Sequence, residues 1–98
     1  MTRNDLLLLQ LMEEAAEVTQ AISKQLRFGP EHTWPNHEGP ASECLFQECM
    51  DFFALIDMCQ DAGVIKQWDR ATVAQAIRVK KERVEKYLEI SKSLGCME

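Results

Sequence analysis

Apolar residues recur along the first third of the chain at Leu7, Leu8, Leu11, Met12, Ala15, Val18, Ala21, Ile22 and Leu26. Spacings of three and four residues mark one face of an amphipathic helix. The pattern predicts a helix from about Asn4 or Asp5 to Arg27, with Asn4 as N-cap and Asp5 at the positive end of the helix dipole. Gly29-Pro30 should stop it. A second apolar run predicts a helix from Ala41 or Ser42 to Ala62, ended by Gly63. Leu45, Phe46, Cys49, Met50, Phe52, Phe53, Leu55, Ile56 and Met58 make this helix apolar almost all round, which predicts burial on most sides. Asp69 reads as the N-cap of a third helix, about Arg70 to Leu94, with its stripe on Val73, Ala76, Ile77, Val84, Leu88 and Ser91 and its stop at Gly95.

The pattern breaks in two places. Positions 7, 11, 14, 18 and 21 form the seam of the first helix, and they read Leu7, Leu11, Glu14, Val18, Ala21. Positions 41, 45, 48, 52, 55 and 59 form that of the second, and they read Ala41, Leu45, Glu48, Phe52, Leu55, Cys59. Each seam therefore carries a glutamate where an apolar side chain belongs. Three residues on, about one turn along the same face, stand Glu17 and Asp51. An ionised carboxylate in an apolar seam is costly unless it is paired or bound to metal. Two such pairs on two helices that pack together would form a cage of four carboxylates. Oxygen ligands of this kind favour hard cations, so magnesium or manganese is expected. The competing reading of either pair taken alone is plain charge on a solvated face. Glu13 falls one residue off the seam and is read as an extra ligand, an ion-pair partner or a residue that steadies the ligands. Asp57, among Met50, Phe53 and Ala54, is read as a site residue or an ion-pair partner.

Between the two acidic motifs lies a loop, residues 29–41, with three prolines, Trp34 and both histidines. It is longer than most connections in a compact domain, and such loops often bind or cover a ligand. The loop is a candidate lid, a hypothesis the sequence leaves open, and His32 and His37 are read as ordinary loop residues. The 98 residues predict one domain, whose three helices would leave an apolar face uncovered and so favour an oligomer. The net charge of −5 opposes nucleic-acid and membrane partners but not a nucleotide held through a metal. The N-terminal segment is too short for a signal peptide and no apolar run approaches a membrane span, so a cytoplasmic location is expected. Cys44, Cys49, Cys59 and Cys96 form no C-x-x-C pair and are read as buried or idle thiols.

The motifs Glu13-Glu14-Ala15-Ala16-Glu17 and Glu48-Cys49-Met50-Asp51, thirty residues apart, resemble the E-E-x-x-E and E-x-x-D of the MazG-like nucleoside triphosphate pyrophosphohydrolases. Ser23-Lys24-Gln25-Leu26-Arg27-Phe28-Gly29 is similar to a stretch of phage-type members, and Lys80 to Leu88 is similar to their third helix. Many members carry an asparagine in that helix, after a lysine, and this chain has none after Asn36. The resemblance implies an all-α helical bundle completed by oligomerisation, as a homodimer or homotetramer. It implies hydrolysis of ribo- or deoxynucleoside triphosphates to the monophosphate and pyrophosphate. Glu14, Glu17, Glu48 and Asp51 would hold the metal, and any of them, or Glu13, would orient or deprotonate the attacking water. Phosphates also need cations. Lys24 and Arg27 at the end of the first helix and Lys80 on the third are candidates, against plainer roles in answering the helix dipole and reaching into solvent. Phe28 and Trp34 are candidates for stacking on a base, or else pack the loop. The alternatives are a non-catalytic helical dimerisation module and a di-iron carboxylate bundle, the latter opposed by the absence of an E-x-x-H motif.

Overall fold

In a computed structural model the chain is all-α, with three helices and no strand among the described residues, 1–37 and 39–98. Glu38, in the interhelical loop, lies outside them. The helices are α1, Arg3–Phe28, α2, Ala41–Asp61, and α3, Arg70–Ser93. They fall into two compact units, Met1–Gln67 and Trp68–Glu98, each described by itself. No helix among the described residues is long and apolar enough to cross a membrane.

The start of α1 differs from expectation. Thr2, not Asn4, is the N-cap. Its hydroxyl accepts from the Asp5 N–H at 3.1 Å, and the Asp5 carboxylate accepts from the Thr2 N–H at 2.8 Å. This reciprocal pair satisfies two otherwise orphaned donors, which the single Asn4 cap would not. Those hydrogen bonds hold the Asp5 carboxyl below its usual value. The helix ends at Phe28, where Gly29, at φ 91°, donates its N–H to the Gln25 carbonyl at 2.8 Å.

The loop is tied back onto α2. The Ala41 and Ser42 N–H groups donate to the carbonyls of His32 and Pro30, each at 2.9 Å, so backbone oxygens serve the first turn of α2, which has no side-chain cap. At its other end Val64 N–H reaches the Cys59 carbonyl at 2.9 Å, past Gly63 at φ 76°.

α1 and α2 pack as an antiparallel hairpin. Near one end the Cys59 Sγ donates weakly to the Leu7 carbonyl at 3.8 Å; toward the other, Ala21 and Ala41 are buried. Every position of both expected seams is buried or half-buried, Glu14 and Glu48 included. α2 is not buried on most sides within the first unit, however. Phe46, Met50, Phe53 and Met58 are exposed, because one neighbouring helix covers only one face.

The second unit carries α3, whose N-cap is Asp69 as expected. Its carboxylate accepts from the Thr72 N–H at 2.7 Å, which holds its proton affinity down. Ile77, Val84 and Leu88 of the expected stripe are exposed.

Candidate metal centre and adjoining cleft

The helical periodicity of the first unit turns Glu14 and Glu17 of α1 toward Glu48 of α2. One carboxylate oxygen from each lies within 4.8 Å of the other two. Glu14 and Glu48 are half-buried and Glu17 is exposed, so the group is open on the Glu17 side. Gln10 Nε2 donates to Glu14 Oε1 at 2.9 Å and fixes that carboxylate from the turn before. The second oxygens, Glu14 Oε2 and Glu48 Oε2, are shut off from solvent with no hydrogen-bond partner.

Burial pushes the Glu48 carboxyl up, and a hydrogen bond with Glu17 and the charges of Glu17, Asp51 and Glu14 push it the same way. Buried oxygens without donors, and a Glu48 carboxyl pushed toward the neutral form, are the marks of a site short of positive charge. A hard divalent cation would supply that charge, and an all-oxygen donor set suits it.

Asp51 stands outside the three-way group, though its charge is felt at Glu48. Glu13 and Asp57 are both exposed and outside it as well.

A cleft of about 270 Å³ opens from this cluster along the groove between α1 and α2. Glu17 and Glu48 stand at one end, and Lys24, Trp34 and His37 line the other. Gln20 lies about one turn past Glu17, Gln47 stands next to Glu48, and Ala21, Ala41 and Cys44 complete the lining. The space exists because the two buried alanines carry nothing beyond Cβ.

The loop residues form an aromatic cluster. Phe28 stacks on His32 at 5.3 Å between ring centroids, His32 meets Trp34 edge-on at 4.7 Å, and His37 leans on Trp34 at 5.7 Å. The Lys24 ammonium lies over the Trp34 ring at 5.7 Å. The two histidines, expected as ordinary loop residues, are thus part of what holds Trp34 at the cleft. A stacking role for a histidine leaves no mark in a single sequence.

The other expected substrate contacts are distributed unevenly. Trp34 and Lys24 line the cleft, whereas Phe28 faces His32 and the Arg27 guanidinium lies over the Phe28 ring at 5.3 Å. Lys80 lies on α3 in the second unit and is exposed there. Gln20 and Gln47 were not singled out by the sequence, since glutamines on a polar helix face carry no signal. No family model, no curated protein and no solved structure matches the chain.

Proposed function

We propose that this protein hydrolyses nucleoside triphosphates to the monophosphate and pyrophosphate, with magnesium or manganese held by Glu14, Glu17, Glu48 and Asp51. The carrying observation is the convergence of Glu14, Glu17 and Glu48 from two packed seams, with two buried oxygens that lack donors. The motif resemblance to the MazG-like family supports the same reading.

In this reaction a water oxygen attacks the α-phosphorus. The bond to the bridging oxygen breaks, and its electron pair leaves with pyrophosphate. The metal, when bound, supplies charge neutralisation and a more acidic water. The chain's own residues orient the reactants. Asp51, outside the tightest group, is the carboxylate freest to orient the water and accept its proton. Lys24, at the far end of the cleft, offers a mobile positive charge to the nucleotide, while Trp34 offers a ring face to the base. Phe28 and Arg27 support the loop, and Lys80 has no assigned contact.

In this reading the protein works as a homo-oligomer. The exposed apolar side chains Phe46, Met50 and Phe53 of α2 are the surface a second copy would cover. That same surface favours a second reading, a non-catalytic dimerisation module. Pyrophosphate release from a panel of NTPs and dNTPs with magnesium, run beside Glu48→Gln, separates the two. The hydrolase releases pyrophosphate, and loses the activity in the variant and in chelator. In a bare dimerisation module nothing is released, and Glu48→Leu stabilises the fold whatever the metal, because it removes a charge from an apolar seam.

A further inference from the structure

The cleft is graded along its length, from carboxylates at one end to an indole ring at the other. On α1 the lining runs Glu17, Gln20, Lys24; on the antiparallel α2 it runs Glu48, Gln47, Cys44. Successive steps on α1 are about 4.5 Å and 6 Å at the helical rise of 1.5 Å per residue. Carboxylates stand at one end and an indole ring and an ammonium at the other; Gln20 lies about 4.5 Å past Glu17 along α1, and Gln47 lies about 1.5 Å past Glu48 along α2. We propose that Gln20 and Gln47 grip the sugar of the nucleotide, so that the enzyme selects on sugar hydroxyls and tolerates the base. This rests on the nucleotide reading above.

If the phosphates lie at the carboxylate end and the base lies on Trp34, the sugar falls beside Gln20 and within reach of the Gln47 side chain. The chemistry there fits hydroxyls. A carboxamide donates and accepts, and so does a sugar hydroxyl, so each glutamine can meet one in either sense. The orientation of Gln47 is set from outside the cleft, for its Nε2 faces Glu43 Oε1 at 3.4 Å. A carboxylate only accepts, so the amide turns its NH₂ that way and leaves its carbonyl to accept from a hydroxyl.

The base end is built differently. Trp34 offers a π-face, and stacking on an aromatic ring is nearly indifferent to which base stacks. His37 is engaged with the Trp34 ring. Ala21 and Ala41 present only methyl groups to the cleft. Lys24 and His37, the other polar side chains beside Trp34, are both turned to its ring, so base edges meet few directional groups, whereas the sugar meets two carboxamides.

The test uses the full chain with magnesium, as wild type, Gln20→Leu, Gln47→Leu and the double variant. Both glutamines are exposed, so the changes leave the hairpin packing alone, and circular dichroism verifies helicity. For each protein, kcat/KM is measured for ribo-, 2′-deoxy- and 2′,3′-dideoxynucleoside triphosphates on all four bases. In the wild type, loss of the contacted hydroxyl lowers kcat/KM roughly two- to tenfold, the scale of one hydrogen bond. Bases within one sugar class stay closer together than that. In the variants the ratio between sugar classes collapses toward one while the base ratios hold. An unchanged sugar ratio in folded, active variants overturns the proposal and leaves the hydrolase reading intact. Base ratios that move in place of sugar ratios overturn it as well. Absence of turnover by the wild type on every substrate overturns the hydrolase reading and takes this inference with it.

Discussion

Replacing Glu48 by glutamine should make the metal-free protein more stable and the magnesium response smaller. Glu48 faces two like charges, Glu14 and Glu17, with oxygens within 4.8 Å. At that separation two unit charges repel by about 0.9 kcal/mol in bulk water and about 3.5 kcal/mol at an effective dielectric of about 20. Glu17 is exposed, which keeps the pairs near the aqueous limit, and two such pairs sum to about 2 kcal/mol. A ceiling also applies. A carboxyl with an ordinary value near 4.3 can take up a proton at pH 7 for about 3.7 kcal/mol, so the repulsion relieved cannot exceed that. Glutamine keeps the shape and removes the charge. The expected gain of about 1–2 kcal/mol corresponds to a rise in Tm of roughly 5–15 °C for a unit this small. Thermal unfolding followed by far-UV circular dichroism, in chelator and across a magnesium titration, reads both effects. Magnesium at about a hundred times its Kd adds about 2.7 kcal/mol to the wild type. Glu48→Gln gains less, so the order of the two melting points reverses as magnesium rises. A variant that melts below the wild type in chelator, with the same magnesium response, would refute the reasoning and make Glu48 a structural residue.

Two more outcomes follow from the same contacts. The folded protein holds the Glu48 proton more tightly than the unfolded chain does, so this group's contribution to stability is full below the ordinary glutamate value. It is lost as pH rises through the raised folded value. Metal-free wild type should therefore lose stability over that rise relative to Glu48→Gln, whereas saturating magnesium, which favours the ionised form, should narrow the difference; pH-resolved melts check this. At the opposite end of the hairpin, Leu7 is 8% exposed against a helix whose Cys59 is fully buried. Leu7→Ala should cost about 2–3 kcal/mol, the low end for a buried leucine because a two-helix contact can partly close over the gap, and urea unfolding measures it.

The hydrophobic period of the chain was enough to determine three helices and the seams of α1 and α2. Each seam position, from Leu7 to Ala21 and from Ala41 to Cys59, is buried or half-buried in the hairpin. The misplaced glutamates were legible for the same reason, since Glu14 and Glu48 occupy positions that a regular period reserves for apolar groups. Asp69 was legible because a cap is a local contact, made to a backbone N–H three residues on. Asn4 was misread because Thr2 and Asp5 cap reciprocally, which a ranking of single residues does not weigh. Only the tertiary structure decided that Asp51 stands apart from Glu14, Glu17 and Glu48, since distances across two helices depend on their packing and not on spacing within one. It also decided that His32 and His37 support Trp34, and that Gln20 and Gln47 face one cleft. These residues come from different elements, and nothing local to any of them encodes the partner. Periodicity fixes which face of a helix a residue occupies; which residues of two faces meet is fixed by how far one helix slides along the other, and that is a property of the packed hairpin.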